Sequence, residues 1–566
     1  MDAPLRILIV GGMACGPKAA ARARRCDPRS RITIIEQGTT VSEGSCGLPY
    51  FIGGQVASEN VLLIRTPRYF KDIMDVDVLT GTRALSIDRT GQTVDVLDLK
   101  TNAKSALPYD RLVLATGATP AVPGALKGRD LKGVFTLTKL TDATAIVREI
   151  GQASPKRAVV VGAGLIGLET AEALRQRGLE VSVVEALDRV LPSLLDPEMA
   201  AYAEKELAAN GVVLRLGQRI VAILGDSDGH ARKVVTEKGE MDADLVVLAL
   251  GARPNVQLAR DAGLVIGATG GISVNEHMET SDPHIYAGGD CVENVHRVTG
   301  AKVFAPMGST ANKHGRVIGT NATGGNDTFP GVLGTAVVKV FETNLARVGL
   351  SETEARTAGL FTVTSIAPGF DRASYYPGAK MITVKLVVDA GSGRVLGGQM
   401  AGKGEVARRA DVLVSAISLG ASVDDVADLD LAYSPPFNGP MDVLHHAANV
   451  VRNKMSGRAK AVSPVEVNTR LCSGEDFILL DVRSQAEWDE AHIDASQCLL
   501  MPLNKLREKV ASLPRDAKIV TMCKTSIRAY LAQKLLEGEG FTNVCFMDGS
   551  ITAWPYAVVC KAQEHG

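Results

Sequence analysis

The pattern of apolar and polar residues divides the chain into repeated strand and helix units. Near the start, the apolar run in "LRILIVGG" leads into glycines, an alanine-rich segment and a second β-branched run, "ITIIEQ". The stretch "KRAVVVGAGLIGLETAEALRQRGLEVSVVEA" repeats this order further along the chain. An apolar run that ends in glycines and is followed by a helix is typical of a parallel sheet. The pattern therefore predicts two parallel α/β units.

Later segments show three further patterns. "YDRLVLATGATP" and "ADLVVLALGARP" resemble each other and are interpreted as crossings between the two units, and "HIYAGGDC" is another strand that ends in a glycine turn. From about 331 to 455, strands such as "MITVKLVVD" precede helices near 404–420 and 440–454, which is typical of an α+β domain. The periodicity restarts at "FILLDVRS", so a linker is expected at about 455–465.

Composition narrows the classes of protein. A length of 566 residues and a hydrophobic content of 46% predict several domains. The net charge of -1 provides no general field for nucleic acid or an anionic membrane, and no run approaches about 18 apolar residues. The nine cysteines are scattered, without a CxxC pair, which favours free thiols over disulfides or a zinc site. We therefore expect a cytoplasmic protein that binds neither nucleic acid nor a metal.

The second glycine turn has the full G-x-G-x-x-G spacing of a dinucleotide site. Gly162, Gly164 and Gly167 permit the tight turn, the approach of pyrophosphate and the packing of helix on strand. Glu185 ends the next strand, where a carboxylate would accept a ribose hydroxyl and repel a 2'-phosphate. The site is therefore predicted to prefer NADH, with NADPH possible.

The first glycine turn is less regular. Gly11, Gly12 and Gly16 are present and Glu36 ends the following strand, but Met13 occupies the middle position of the fingerprint. Cys15 is interpreted either as a redox-active thiol or, preferably, as a small buried residue that packs a helix.

The order of these motifs resembles the pyridine nucleotide-disulfide oxidoreductase superfamily over residues 1 to about 455. This resemblance implies FAD in the first unit and NAD(P)H in the second. It implies that Asp290 in "GGDC" contacts the flavin's ribityl chain, and that Thr116 and Gly117 form the "ATG" crossing.

A single cysteine in "SCGLPYF" places the chain nearer to one branch of that superfamily. Most disulfide reductases of the superfamily carry C-x4-C, whereas the residue five beyond Cys46 is Phe51. The closer resemblance is to coenzyme A-disulfide reductases, NADH oxidases and peroxidases. Because Cys46 has no partner thiol in this motif, its partner sulfur is expected to arrive with the substrate.

Two tyrosine motifs are similar to those of the coenzyme A-disulfide reductases. The resemblance implies a homodimer in which Tyr433 of "YSPPF" and either Tyr375 or Tyr376 of "SYYPG" reach the cysteine of the other subunit. A phenol there would hydrogen-bond the sulfur or protonate a leaving thiolate.

Coenzyme A would need cations and polar groups for its phosphates. The resemblance implies a set of contacts in the first α/β unit, including the residue before the cysteine, where the family commonly has asparagine. The set is Arg22, Ser45, Lys71, Asn312 and Arg316.

The tail from about 465 resembles a rhodanese domain. Cys523 follows a strand, and the loop from it to Arg528 leads into a helix, so loop amides would surround a persulfide anion. Ser526 replaces the glycine of the usual C-x-x-G-x-R loop. Both an active sulfur carrier and an inactive scaffold are therefore possible.

These interpretations combine into one prediction of fold and domains. The fold class is α/β, with two Rossmann-like domains as in glutathione reductase, an α+β dimerisation domain and a C-terminal α/β rhodanese domain. The predicted domains are FAD-binding 1–115 plus 240–330, NAD(P)H-binding 116–239, interface 331–455 and rhodanese 465–566.

The predicted function is NAD(P)H reduction of coenzyme A persulfide, polysulfide or coenzyme A disulfide through FAD and Cys46. Sulfur would be delivered by the rhodanese domain, and coenzyme A would serve as ligand or carrier. One alternative is an NADH peroxidase or oxidase that cycles Cys46 through sulfenic acid. The other is a sulfurtransferase or redox sensor.

Overall fold

The computed structural model describes residues 3–560, which form two compact units. The first unit comprises the chain up to Ala186 together with Gly211–Val332. The second comprises Leu187–Asn210 together with the chain from Leu333 onward. The outer ends of the first and last predicted domains, residues 1–2 and 561–566, lie outside the described residues.

A five-stranded parallel sheet forms the first layer of the first unit. Its apolar strands are buried on both faces, as expected for a parallel sheet covered by helices. Gly315 and Gly319 allow the helices Cys15–Cys26 and Gly308–Asn321 to pack closely, since a Cβ at either glycine would lie 2.5 Å from a carbonyl oxygen of the other helix. The strands in sheet order are Ile285–Ala287, Arg111–Leu114, Arg6–Val10, Arg31–Ile35 and Val76–Leu79.

A second five-stranded parallel sheet follows in the same unit. The strand Leu245–Leu248 pairs with Arg157–Val161 here, so the predicted boundary at residue 240 is wrong for this strand. The sequence did not place this boundary correctly, because an apolar strand such as Leu245–Leu248 can extend either sheet. Only long-range pairing decides which sheet the strand joins. The strands in sheet order are Val212–Arg215, Glu180–Val184, Arg157–Val161, Leu245–Leu248 and Val134–Phe135.

Helices and smaller antiparallel strands complete the first unit. The two segments interpreted as crossings pair with each other as an antiparallel ribbon, Ala118–Pro120 with Ala252–Pro254. The remaining helices of this unit include Leu48–Gly53, Pro67–Met74, Leu140–Ala153, Leu165–Gln176 and Gln257–Asp261. The remaining strands are Thr82–Asp88, Thr93–Asp98, Lys104–Pro108, Ile220–Gly225, Ala231–Thr236, Gly239–Asp242, Asn294–Val295 and Lys302–Val303.

The second unit begins with an antiparallel five-stranded sheet. The helix Pro197–Ala209 groups with this unit by its contacts, and its assignment to the NAD(P)H domain stays a prediction. The physical reason for this grouping is the buried Lys385, whose ammonium lies 2.9 Å from Asp196 and 2.5 Å from Glu198. The strands in sheet order are Ala336–Val340, Thr343–Gly349, Val395–Gly402, Met381–Asp389 and Thr362–Phe370, and the other helices are Glu352–Thr357, Ala407–Ser418, Val423–Ala427 and Val443–Met455.

The last sheet of the second unit is parallel, with five strands. It begins soon after the helix that ends at Met455, so the connection is short. The strands in sheet order are Ala461–Val462, Val544–Met547, Ile519–Met522, Ile478–Asp481 and Cys498–Leu500. The helices around it are Pro464–Cys472, Gln485–Glu490, Leu503–Lys509 and Ile527–Gly538, and a separate short ribbon joins Ala491–His492 to Val559–Cys560.

Residues 3–560 contain neither a candidate membrane-spanning helix nor a candidate metal cluster. No helix in this range is long and apolar enough to cross a membrane. Within the same residues, no three His, Cys, Asp or Glu side chains are grouped so as to hold a metal ion.

Candidate active sites

The first glycine turn follows strand Arg6–Val10. Gly11 has a φ of 114°, and a Cβ there would lie 2.0 Å from the carbonyl oxygen of Ala115, so the turn requires glycine. A Cβ at Gly16 would lie 2.0 Å from the Gly11 oxygen. The buried carboxylate of Glu36 accepts the Gly12 amide at 2.8 Å. The predicted residues therefore lie together at the carboxyl ends of neighbouring parallel strands, where nucleotides bind.

The second glycine turn has the same construction. A Cβ at Gly162 would lie 2.3 Å from the Ala249 oxygen, and one at Gly167 would lie 2.0 Å from the Gly162 oxygen. Gly164 faces open space, which leaves its backbone accessible to a phosphate. The carboxylate of Glu185 accepts an amide of this turn, that of Ala163, at 2.8 Å. Both turns thus place an acid beside a glycine-rich backbone.

Thr116 and Gly117 lie at the crossing ribbon. The Thr116 hydroxyl donates to the Asn255 backbone carbonyl oxygen at 2.7 Å, and the Asn255 side-chain amide donates to the Thr116 backbone carbonyl oxygen at 2.9 Å. Gly117 has a φ of 66°, which favours glycine. Asn255 was missed from the sequence, although its place after "GARP" parallels the "GATP" of the first crossing.

Asp290 follows strand Ile285–Ala287 and is half-buried. Burial raises the pKa of the Asp290 carboxyl. Burial also raises the pKa of Cys15 well above its ordinary value, with Cys291 and Asp290 adding to the effect. Because such a thiol stays protonated, the packing interpretation of Cys15 is the better supported one.

A buried histidine adjoins this region and was not found from the sequence. The Nδ1 of His314 accepts the Gly289 amide at 3.1 Å. Its Nε2 has no hydrogen-bond partner within the described residues, and its ring meets Phe329 edge to face. Burial lowers the pKa of His314 to about 4, so the ring is neutral.

Cys46 lies on an exposed turn in the first unit. The 3₁₀ turn Ser45–Gly47 leads directly into helix Leu48–Gly53, and both Ser45 and Cys46 are exposed. The segment is fixed to the first glycine turn, because the Ser42 amide donates to the Gly12 oxygen at 2.8 Å. The exposed thiol therefore lies a few residues beyond a hydrogen bond to the first glycine turn.

Tyr50 and Glu169 form a polar pair beside this cysteine. The Tyr50 hydroxyl donates to a Glu169 carboxylate oxygen at 3.3 Å. Burial, followed by the charge of Glu169 and their hydrogen bond, raises the pKa of Tyr50 to about 12, and the charge of Cys46 adds to this rise. Burial raises the pKa of Glu169 as well. The sequence offered no signal for this pair, because the two residues lie on different helices.

The three predicted tyrosines lie in the second unit. Tyr433, Tyr375 and Tyr376 are all exposed, to 49%, 75% and 37%. The side chains of Tyr433 and Tyr375 hydrogen-bond to each other, and this bond is the main cause that raises the pKa of Tyr433. Tyr375 therefore pairs with Tyr433 in this chain, while which of Tyr375 and Tyr376 reaches the cysteine of the other subunit stays a prediction.

The predicted coenzyme A contacts fall into two groups. Arg22 donates to Thr320 at 2.9 Å, across the two packed helices that also carry Asn312 and Arg316. Asn312 donates to Gly308 on its own helix, and Arg316 lies 4.0 Å from Asp327.

Lys71 lies on a third helix, Pro67–Met74, and differs from the other predicted residues in being paired with two carboxylates. Its ammonium is held by Asp75 at 3.1 Å and by Asp77 at 2.9 Å. These two carboxylates would compete with a phosphate for the charge of Lys71.

The loop that the sequence predicts to carry sulfur runs from Cys523 to Arg528 in the second unit. Cys523 is 1% exposed and follows strand Ile519–Met522. Arg528 forms a fork with the two carboxylate oxygens of Glu487, at 2.6 and 2.8 Å. Hydrogen bonds from Arg528 are the main cause that lowers the pKa of Glu487 to about 2.

One serine stands in this loop where glycine is expected, and a second serine contacts the loop. Ser526 has a φ of 80°, so it adopts the left-handed backbone that glycine favours. The Cys523 amide donates to the Ser550 hydroxyl at 3.1 Å. Ser550 was missed from the sequence, since it lies in a different segment from the loop. Four further cysteines of this part of the chain are free thiols, with Cys472 and Cys560 exposed and Cys498 and Cys545 partly buried.

Family models match three parts of the chain. The model "Pyridine nucleotide-disulphide oxidoreductase" matches residues 5–305, and the model for the dimerisation domain of the same group matches residues 335–443. The model "Rhodanese-like domain" matches residues 463–556. The chain belongs to the pyridine nucleotide-disulphide oxidoreductase family. The predicted family, fold class and enzyme class are confirmed, as are FAD and a pyridine nucleotide as cofactors.

Individual relatives have related names. A structure described as an NAD-dependent persulfide reductase from A. fulgidus is 44% identical, covers 97% of this chain and 100% of its own, and has a TM-score of 0.92. A CoA-dependent NAD(P)H sulfur oxidoreductase of Pyrococcus abyssi is 38% identical over 79% of this chain and 98% of its own. An NADH oxidase of Methanocaldococcus jannaschii is 36% identical over 80% of this chain and 100% of its own.

Proposed function

We propose that the chain is an FAD-dependent, NADH-using reductase of coenzyme A persulfide, polysulfide or coenzyme A disulfide. The observation that carries this proposal is the exposed Cys46, fixed to the first glycine turn through the bond from Ser42 to Gly12. A rhodanese-like domain in the same chain supports a substrate that contains sulfane sulfur.

The glycine turns fit the two nucleotides. Gly11, Gly12 and Gly16 would hold the FAD pyrophosphate, with Glu36 on its ribose and Asp290 on its ribityl chain. Thr116 and Gly117 would support the same cofactor from the crossing. Bound flavin would supply electrons taken from the nicotinamide.

The second turn would hold the nicotinamide cofactor through Gly162, Gly164 and Gly167. The Glu185 carboxylate can accept a ribose 2'-hydroxyl, but it repels a 2'-phosphate. Its position beside the Ala163 amide supports NADH as the preferred donor.

Cys46 would act as the nucleophile toward sulfur. Its thiolate attacks the inner sulfur of coenzyme A persulfide, the S–S bond breaks, and hydrosulfide leaves as a mixed disulfide forms. Two electrons then break the mixed disulfide, and the coenzyme A thiolate leaves while Cys46 is restored. Overall, one persulfide and one NADH give one thiol, one hydrosulfide and NAD⁺.

A homodimer would complete this site. The matched dimerisation domain supports a dimer, and the Tyr433–Tyr375 pair supplies an exposed phenol that can protonate the leaving coenzyme A thiolate. On this proposal the tyrosines act on the cysteine of the other subunit.

Steady-state assays test the proposal. NADH oxidation by the flavin-loaded protein should be fast with coenzyme A persulfide and slow with oxygen or peroxide. The Methanocaldococcus relative named NADH oxidase makes the opposite order the main alternative. Rapid peroxide or oxygen turnover without persulfide turnover would overturn the proposal. A coenzyme A adduct on Cys46 in mass spectra would identify the carrier.

A further inference from the structure

Two serines of the rhodanese-like part have a backbone conformation that favours glycine. Ser526 has a φ of 80° and Ser550 a φ of 51°. Residues other than glycine keep a left-handed backbone only where the surrounding structure holds them, and such residues cluster at functional sites. At both positions a side chain is present although the backbone conformation favours glycine, and the contacts of the two hydroxyls differ.

The Ser550 hydroxyl contacts the reactive cysteine twice. It accepts the Cys523 amide at 3.1 Å and lies 3.8 Å from the Cys523 sulfur, to which it can donate. The Met547 carbonyl oxygen, at 3.2 Å, is the other acceptor for its single proton. By contrast, the Ser526 hydroxyl donates to the same Met547 oxygen at 3.4 Å.

The charge on sulfur decides between the two acceptors of Ser550. A neutral thiol is a weak acceptor, so the Ser550 hydroxyl is then expected to donate to the Met547 carbonyl oxygen. A thiolate is a strong, charged acceptor, so the hydroxyl is expected to turn toward sulfur. Because Ser550 is fully buried, water does not compete for this bond.

The neighbouring residues hold Ser550 in place. The Asp548 carboxylate accepts the Ile366 amide at 3.1 Å and the Lys454 ammonium at 2.6 Å. A Cβ at Gly549 would lie 2.7 Å from the Ile366 side chain, so the segment is packed tightly before Ser550. After Ser550, the Ile551 amide donates to the Cys523 oxygen at 3.2 Å. The backbone of Ser550 is therefore held in place, and its hydroxyl stays beside the Cys523 sulfur.

We infer that Ser550 is a catalytic residue of sulfur transfer, whose hydroxyl stabilises the Cys523 thiolate as it leaves. This inference rests on the proposed function, in which Cys523 carries sulfane sulfur. An acceptor thiolate, such as that at the end of coenzyme A, attacks the outer sulfur of the Cys523 persulfide. The S–S bond breaks, its electron pair stays on Cys523, and the outer sulfur leaves with the acceptor as a new persulfide. No net oxidation or reduction occurs.

Ser550→Gly and Ser550→Ala test this role in the flavin-loaded Cys46→Ser protein, which cannot reduce the product. The protein is loaded with glutathione persulfide, and mass spectrometry then follows discharge of Cys523 to coenzyme A in a single turnover. Both variants should discharge about tenfold more slowly, because each lacks the bond to a charged sulfur. They should also slow alkylation of unloaded Cys523 by iodoacetamide.

Stability separates this role from a structural one. Both variants leave the buried Cys523 amide without its acceptor, but only Ser550→Gly also relieves the left-handed backbone, so Ser550→Gly should melt at a higher temperature than Ser550→Ala. Ser154→Gly is the matched control, because Ser154 has a φ of 47° in the first unit and its change should leave discharge unaffected.

Three outcomes would overturn the inference. Parent-like discharge in both Ser550 variants would show that the hydroxyl is not used. Slow discharge only in the variant that melts early would show a structural role. Failure of the parent itself to load sulfur at Cys523 would remove the proposed carrier function and the inference with it, which distinguishes that failure from the first two outcomes.

Discussion

The surroundings of Cys46 and Cys523 differ in exposure. Cys46 lies on an exposed 3₁₀ turn of the first unit, whereas Cys523 is 1% exposed at the end of a buried strand in the second. An exposed sulfur can meet a substrate as large as coenzyme A disulfide. A buried sulfur suits a cargo of one sulfur atom. The difference in exposure therefore supports a division of work between reduction and carriage.

The polar groups beside the two cysteines differ in the same sense. Near Cys46, the pKa of Tyr50 is raised to about 12, so its phenol stays protonated and can supply a proton, and the pKa of its partner Glu169 is raised as well. Near Cys523, Arg528 is neutralised by the fork to Glu487, so the neighbouring hydroxyl and amide groups remain to meet a charged sulfur. Proton supply suits reduction, and fixed dipoles suit a transfer without net redox change.

The largest expected effect is that of Cys46→Ser. Reductase turnover with coenzyme A disulfide should fall by at least about a thousandfold, because loss of the nucleophile removes the covalent route. Bound flavin should be retained, since the glycine turn is unchanged. Stopped-flow NADH oxidation and flavin absorbance measure the two results. Turnover that survives would place the chemistry at another group and remove the contrast between the two cysteines.

Cys523→Ser is the reciprocal change. Sulfur transfer from glutathione persulfide to coenzyme A, followed by mass spectrometry in the Cys46→Ser background, should fall by at least about a hundredfold without the carrier thiol. In the otherwise unchanged chain, reduction of coenzyme A disulfide should stay within about twofold, because this substrate needs no carrier. A large loss of disulfide reduction would mean that the two cysteines do not act separately.

Local backbone requirements made part of this structure predictable. The turns at Gly11 and Gly162 require positive φ values and leave no room for a Cβ, so a short motif carries the whole signal. The acids Glu36 and Glu185 follow from the same strand order. The predicted fold class was confirmed for this reason.

Features set by distant partners were not predictable in the same way. The sheet that strand Leu245–Leu248 joins is decided by its pairing with Arg157–Val161. The unit with which Leu187–Asn210 packs is decided by contacts such as that of Asp196 with Lys385. Ser550 meets Cys523 only through the fold. No spacing rule links such residues, so contacts of this kind were left open or missed.

The tyrosines sharpen the comparison at the exposed cysteine. Tyr433→Phe and Tyr375→Phe should each lower kcat for coenzyme A disulfide by about ten- to a hundredfold, because each removes a phenol of the pair that would protonate the leaving thiolate. Sulfur transfer at Cys523 should not change. Tyr376→Phe is the matched control and should have little effect on kcat. A larger loss in Tyr376→Phe than in Tyr375→Phe would reverse the assignment of the pair.

The smallest effect is expected at the buried cysteine, from Glu487→Gln. This change removes the fork to Arg528, whose side chain is 36% exposed, so solvent screening limits the loss of stability to less than about 1 kcal/mol. The pKa of Glu487 is lowered from 4.5 to about 2, so the folded state favours the charged form. The stabilisation is therefore complete above pH 4.5 and is lost as the pH falls through about 2.

Amide hydrogen exchange of helix Ile527–Gly538 should differ between variant and parent at pH 6 and differ less at pH 3. Glu466→Gln, which breaks an exposed pair with Arg470 on another helix, should leave that exchange unchanged. A difference that grows toward acid would contradict the ion pair as the cause.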